Sequence, residues 1–341
     1  PCENYEVVDG VLFGTSESAP GSGTELKGGY MLQAYPCGKA GEYTIPKTVD
    51  GKNVRETWPG AMEGAEKLTG VTIPNTLEKL GSSTFARSGL VDVCIPATVA
   101  TVEGNMFSGC KNLRSAEINA TMQSTGFSMF ENCKSLTDVK FPPGLEEIDM
   151  YAFKNCESLT HLDLPDGVNS MSYHVVDGCK SLLRVVIPRD FNTFSSEYTF
   201  DNLSPQFVLY VAKDSNAHKF AKKHKIKFKT YSSKEELTTL LAEPVNQTIQ
   251  DNATGIRMSL NAPIGVSLRA EKFSDGDKLM GLPGSGLKRA YDIRLNPENL
   301  TAHAGTLSIP VEKGFDISSA KLYKKNGSDY VETGINVSSD P

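Results

Sequence analysis

Four cysteines constrain this chain more than any other feature. Cys110, Cys133, Cys156 and Cys179 stand 23, 23 and 23 residues apart, each inside one recurring phrase. The phrase reads Phe107-Ser-Gly-Cys110-Lys-Asn-Leu113, Phe130-Glu-Asn-Cys133-Lys-Ser-Leu136, Phe153-Lys-Asn-Cys156-Glu-Ser-Leu159 and Val176-Asp-Gly-Cys179-Lys-Ser-Leu182. A second mark keeps the same period: Ile73-Pro74, Ile95-Pro96, Ile118-Asn119, Phe141-Pro142, Leu164-Pro165 and Ile187-Pro188, at intervals of 22, 23, 23, 23 and 23. Looser copies extend the series to Ile45-Pro46, with an insertion expected around Arg55–Met62, and to Val211. A fixed period of this size is the signature of stacked repeats.

One unit shows the physics. In Leu136-Thr-Asp-Val-Lys-Phe141, Val139 and Phe141 alternate with Asp138 and Lys140, as in a half-buried strand. Pro142 lacks the N–H needed to continue a ladder, so the strand ends there. A polar turn follows, and the Phe and Cys positions return the chain and point inward. A single coil cannot bury its own apolar face, but a stack of them can. Parallel strands spaced at roughly 4.8 Å would make seven such steps about 34 Å long. The expectation is a solenoid with one strand face and one irregular face.

The phrase Phe-x-x-Cys-x-x-Leu-x-x-Val-x-Ile-Pro resembles the BspA-type leucine-rich repeat of bacterial surface proteins. Two flanking segments fit that resemblance. Tyr5-Glu-Val-Val-Asp-Gly-Val-Leu-Phe13 with Leu32-Gln-Ala-Tyr-Pro36 is similar to the hairpin that begins such arrays. Tyr210 to Phe228 is similar to their strand–helix–strand cap. The likeness covers about residues 5–229 and departs at Asn119, where Pro is missing, and at Val176, where Phe is missing. It implies a leucine-rich solenoid at residues 1–232, with an exported, non-enzymatic role in adhesion or protein recognition.

After residue 232 the pattern changes. Ser233-Lys-Glu-Glu236 followed by Leu237 and Leu240 predicts a short capped helix. Asn246 to Thr254 is polar and reads as a linker, so 233–254 is helix plus linker. From Gly255 the period becomes two: Ile256, Met258 and Leu260, then Val266, Leu268 and Ala270, Tyr291, Ile293 and Leu295, and Leu307, Ile309 and Val311. Turn-forming clusters separate these runs, which predicts an antiparallel β-sandwich at 255–341. The segments from Tyr291 to Lys324 resemble immunoglobulin-like accessory modules of surface proteins. Such modules carry one more strand, so the natural chain is expected to continue past Pro341. The fold class is mainly β, solenoid followed by sandwich.

The sequence holds little that suggests catalysis. The 41 acidic and 35 basic residues give a net charge of −6, which argues against a dedicated nucleic-acid binder. No apolar run reaches the roughly 20 residues of a membrane span. The cysteine ladder is a row, whereas zinc needs ligands converging within about 2.0–2.3 Å of one point. Gly281-Leu-Pro-Gly-Ser-Gly-Leu-Lys288 lacks phosphate-loop spacing, and Asp275-Gly-Asp277 has too few oxygens for calcium, so both read as turns. His161, His174, His218, His224 and His303 match no catalytic or metal-binding spacing. No cofactor or metal is expected.

Three groups of residues are left as binding candidates. Asp92, Ser115, Glu117, Asp138, Lys140, His161, Asp163 and Arg184 point outward from the strands and form the candidate face for a protein partner. A cross-strand ion ladder Glu117–Lys140–Asp163 would explain three of them without any partner. Arg184, read as exposed, should tolerate charge reversal with little change in melting temperature. Lys219, Lys222, Lys223 and Lys225 form a second patch, suited to a glycan or another anionic polymer. Cys2 and Cys37 would meet at the open end of the opening hairpin, if Tyr5–Phe13 pairs with Tyr30–Tyr35. The readings for that pair are a disulfide, free thiols, or a lipid-modified Cys2. The partner is thus a protein or glycan on a host or bacterial surface and the chain a monomer; an accessory region of a larger surface enzyme is the further alternative.

Overall fold

The computed structural model describes residues 5–15, 29–251 and 255–264, together with the strands Ser267–Lys272, Tyr291–Asn296, Gly305–Ser308, Tyr323–Asn326 and Asp329–Glu332. The chain divides into a unit that runs to Pro244 and includes Pro263–Gly265, and a second unit that begins at Val245.

The first unit opens with a hairpin. Tyr5–Val8 pairs antiparallel with Val11–Thr15 around Asp9 and Gly10, whose φ values of 51° and 80° suit a two-residue hairpin turn. Val11–Thr15 then pairs antiparallel with Tyr30–Ala34, which lies parallel to Lys52–Thr57. The stretch Tyr5–Phe13 is therefore itself a hairpin, not one strand. The extra residues of the first full coil are also placed differently from the expectation. They form a small antiparallel hairpin of Thr48–Val49 with Lys52–Thr57, turning at Asp50 and Gly51.

Stacked coils follow, and each coil contributes to two faces. On one face Asp92–Ile95, Ser115–Ile118 and Asp138–Lys140 pair in parallel. His161–Asp163, Arg184–Ile187, Val208–Ala212 and Phe228–Tyr231 do the same further along. The other face is not irregular. It carries two-residue parallel strands, Lys79–Leu80 with Thr101–Val102 and Glu147–Ile148 with Ser170–Met171 and Thr193–Phe194. Each coil repeats its backbone path, so even two residues find a partner amide one coil away.

Between the faces lies one continuous apolar column. Phe85, Phe107, Phe130 and Phe153 are fully buried and stack in series, with centroids 5.7, 5.4 and 5.5 Å apart. Phe141 sets its ring edge-on against both Phe130 and Phe153. The cysteines bind coil to coil: Cys133 Sγ donates to the Phe107 carbonyl at 3.1 Å, Cys156 to Phe130 at 3.2 Å and Cys179 to Phe153 at 3.1 Å. Each of those carbonyls also accepts the amide of the cysteine in its own coil. The Phe-x-x-Cys spacing thus fills both lone pairs of a buried carbonyl. The residue before each cysteine, Gly109, Asn132, Asn155 or Gly178, lies at φ between 60° and 77°, which explains the use of Gly and Asn there.

Burial raises the Cys110 pKa to about 11 and those of Cys133 and Cys156 well above the ordinary thiol value. Cys110, Cys133, Cys156 and Cys179 are all fully buried and are expected to resist thiol reagents near pH 8 in the folded protein, while the exposed Cys37 and Cys94 label rapidly. A time course by mass spectrometry checks this, and prompt labelling of the four ladder thiols without denaturant would contradict the stacked-coil core. The sign of the shift adds a pH effect. A thiol whose folded pKa is raised contributes stability below its unfolded value, near 9, and this is lost as pH rises towards about 11.

The array closes with the helix Asn216–Lys223 (α1), capped by Ser215, followed by Phe228–Tyr231. Ala217, His218 and Ala221 face inward on α1. A second helix, Lys234–Leu241 (α2), starts at Ser233, whose side chain accepts the Glu236 amide as the capping sequence implied.

The second unit consists, as far as it is described, of strands. The linker expected at 246–254 is replaced over most of its length by the strand Pro244–Gln250, which joins Arg257–Pro263 and Gly305–Ser308 in one sheet. Gln247 and Ile249 point inward, while Asn246, Thr248 and Gln250 are exposed. The alternation was concealed because an inward position is Gln, whose Nε2 donates to the Ala262 carbonyl at 3.0 Å. Ser267–Lys272 pairs antiparallel with Tyr291–Asn296, and Tyr323–Asn326 with Asp329–Glu332. Cys2, Asp275, Asp277, the segment 281–288 and His303 lie outside the described residues.

Candidate recognition surface

The longer strand face holds the eight residues selected from the sequence, divided between two groups of paired strands, Asp92 to Lys140 and His161 to Arg184. Ser115 lies between Asp92 and Asp138, Glu117 between Cys94 and Lys140, and His161 beside Arg184. Most of these side chains are occupied with one another. Ser115 Oγ donates to Asp92 Oδ1 at 2.7 Å. Asn119, standing where other coils have proline, keeps its amide and donates it to the Ile95 carbonyl, while its side chain donates to Glu117 Oε1 at 3.1 Å. His161 Nε2 lies 3.9 Å from Asp138 Oδ1.

The Glu117–Lys140–Asp163 ladder does not form. Asp163 is held instead by Arg184, which donates from Nε at 3.0 Å and from Nη2 at 2.7 Å, a bidentate pair. Arg184 is not exposed: its side chain retains 5% of its accessibility, against 37% for Asp163. Adjacent outward positions lie diagonally opposite in parallel strands, so the long guanidinium reaches the diagonal carboxylate, and its Nη1 also donates to the Ile264 carbonyl at 3.3 Å. Burial lowers the His161 pKa, with the Arg184 charge adding to that fall and Asp163 and Asp138 opposing it. Lys140 and Glu117 are exposed, and no ion pair involves Lys140 among the described residues.

The cap patch is organised differently. Lys219, Lys222, Lys223 and Lys225 are all exposed on α1 and the turn after it, with no acidic partner among the described residues. Cys37 is exposed, with its thiol 3.5 Å from the Glu63 carbonyl. Tyr5 lies opposite Gly14, at the Tyr30 end of the opening sheet, whereas Cys37 follows the other end of Tyr30–Ala34, where Lys39 Nζ donates to the Asp9 carbonyl. Cys2 itself lies outside the described residues, and of the segment Tyr5–Phe13 it is the part from Val11 that pairs antiparallel with Tyr30–Ala34.

The structure adds a group that strand patterns did not reveal. Where each coil turns after its short strand, Phe127, Tyr151, Tyr173, His174 and Tyr198 form a ridge on successive coils. Phe127 meets Tyr151 edge-on at 5.5 Å, and Tyr151 stacks on His174 at 5.5 Å. The Tyr151 amide donates to the Tyr173 carbonyl one coil on. The available signal was positional rather than a change in periodicity: aromatics recur at two adjacent turn positions, Phe127 and Tyr173 at one, and Tyr151, His174 and (24 residues on) Tyr198 at the next. No group of three or more metal-ligating side chains converges among the described residues.

The comparisons with known proteins bear on this architecture. The sequence profile of the BspA type leucine rich repeat region matches in six copies, over residues 41–158, 78–207 and 129–253. These matches together span well over half of the chain. The chain belongs to the BspA-type leucine-rich repeat family. Its solenoid is similar to a leucine-rich repeat protein from Eubacterium ventriosum, at 21% identity and a TM-score of 0.50, covering 59% of this chain and 50% of that one. A leucine-rich repeat protein from Bacteroides ovatus matches at 19% identity and a TM-score of 0.45, covering 59% and 57%. A leucine rich cell surface protein from Faecalibacterium prausnitzii matches at 16% identity and a TM-score of 0.29, covering 58% and 62%. The chain therefore spans about half to three-fifths of the length of these structures. No curated protein matches it. No described helix is long and apolar enough to cross a membrane.

Proposed function

We propose that this chain is a non-enzymatic recognition module of an exported bacterial surface protein, which engages a protein partner through the longer strand face of its solenoid. The strands from residue 255 onward act in this reading as an immunoglobulin-like spacer. The observation that carries the proposal is the strand face itself. Parallel pairing fixes its backbone within each of its two groups of strands, while its outward chemistry changes from coil to coil: Glu117, then Lys140, then Asp163. A surface already rigid loses little entropy on binding, and repeat proteins commonly present such faces to partners.

Arg184 is unsuitable as a probe because it is buried, and Lys140 takes its place. Lys140→Glu should weaken capture of a partner from surface fractions while leaving the melting temperature within about a degree or two, because exposed substitutions change stability by roughly ±0.5 kcal/mol. Unchanged capture by this variant would count against the strand face. The exposed lysines without counter-ions at the cap favour a second reading, an anionic-glycan site. It predicts the reverse pattern: capture is lost on Lys222→Glu with Lys223→Glu and kept with Lys140→Glu.

A further inference from the structure

The aromatic ridge differs from the rest of the solenoid surface in three ways. The first is exposure: Phe127, Tyr173 and Tyr198 retain 44%, 48% and 62% of their accessibility, and they are three of the six exposed large hydrophobic side chains among the described residues. The second is backbone cost. The turn position occupied by Ser83, Asn105 and Ser128 in earlier coils has φ between 53° and 58°, and at the next two coils it holds Tyr151 at 61° and His174 at 55°. A left-handed backbone is unfavourable for the bulky Tyr151, whereas His adopts it more readily, and strain of this kind clusters at ligand clamps and other functional sites. The third is charge. The four ridge segments, residues 123–133, 146–156, 169–179 and 192–202, contain seven carboxylates (Glu131, Glu146, Glu147, Asp149, Asp177, Glu197 and Asp201) and one lysine.

That one lysine shows what the ridge accepts. Lys154 Nζ sits 4.6 Å from the Tyr151 ring centre and pairs with Glu131 at 3.6 Å. An ammonium between an aromatic face and a carboxylate is thus already present within the chain. Cations are attracted to the negative face of such rings, arginine more often than lysine.

We propose that the ridge formed by Phe127, Tyr173 and Tyr198 docks a basic protein segment, whose arginine side chains seat on the rings while the flanking carboxylates neutralise them. The inference rests on the recognition reading above and adds to the strand-face contact a second one at the turn corner. A polyanion is disfavoured by the seven carboxylates, and a second copy of this chain, presenting its cap lysines, is the competing occupant.

The test uses the full chain and a fluorescein-labelled nona-arginine peptide, titrated by anisotropy at about 0.15 M salt. Phe127→Ser with Tyr173→Ser removes two rings without changing net charge. The proposal expects saturable binding to the wild type, weakened at least about tenfold in the double variant, with an unchanged melting temperature. Equal affinity of the two proteins would mean attraction to charge alone and would overturn it. Sedimentation velocity without peptide forms the second arm. A wild-type dimer abolished by the same substitutions would assign the ridge to self-association and overturn the basic-partner assignment. Capture from surface fractions separates the two proposals: if Lys140→Glu abolishes it and the ridge variant does not, recognition stands and the ridge proposal fails.

Discussion

Phe130→Ala is expected to destabilise the solenoid by about 3–5 kcal/mol, the usual cost of removing a fully buried aromatic side chain. Phe130 is the centre of the ring stack, 5.4 Å from Phe107 and 5.5 Å from Phe153, with Phe141 against its edge. Its neighbours cannot collapse into the space, because each is held on its own coil by the parallel strands on both faces. The loss therefore falls on the interfaces that couple one coil to the next, on which a repeat array depends. Urea unfolding should show a lower midpoint, and a broadened transition would indicate that the array has separated into halves. Phe127→Ala is the matched control, three residues away with the same side chain but 44% exposed. If the two variants lose similar stability, the stack is not the core of the protein.

The second large effect is expected at Arg184. Arg184→Glu should cost about 3–5 kcal/mol, the range for breaking a buried pair by altering one partner. The substitution removes both guanidinium bonds to Asp163 and sets a second carboxylate beside it in a site where the arginine is almost wholly covered. Arg184→Met is the informative companion. It keeps much of the buried stem without the charge, so it should be less destabilising than Glu. A thermal melt that moves by no more than an ordinary surface substitution in both variants would restore the exposed reading of Arg184, and with it the use of this residue as a binding probe. The half-exposed position of Asp163 limits its own share of the effect, since solvent screens what it loses.

Lys140 and Arg184 illustrate how far the outward columns could be read from the chain alone. The alternation Asp138-Val139-Lys140 and His161-Leu162-Asp163 placed each residue on its strand, and the pairings His161 with Arg184 and Ser115 with Asp138 follow the 23-residue offset. Which carboxylate each cation would reach did not follow from that offset. A diagonal bidentate contact and a direct cross-strand one differ by side-chain length and cover, and neither is contained in a residue's column number. The second strand face was missed for a related reason: its strands are two residues long, too short to show a period of two. The strand Pro244–Gln250 looks like a linker in the sequence because a buried Gln stands where an apolar residue would have marked it.

The repeat, its length, the inward Phe, Cys and Leu positions and the closing cap are all legible along the chain, because they depend on a local pattern repeated at a constant step. Stacking then satisfies each coil with its neighbour, and any copy of the phrase predicts the next. What varies around that step follows from how the coils close on one another: the burial of Arg184 against Asp163, the two-sided use of each Phe carbonyl by an amide and a thiol, and the aromatic ridge at a strained turn. Those features arise between residues about 23 positions apart that come together only when the coils close, and their energies depend on distance, cover and geometry rather than on order along the chain.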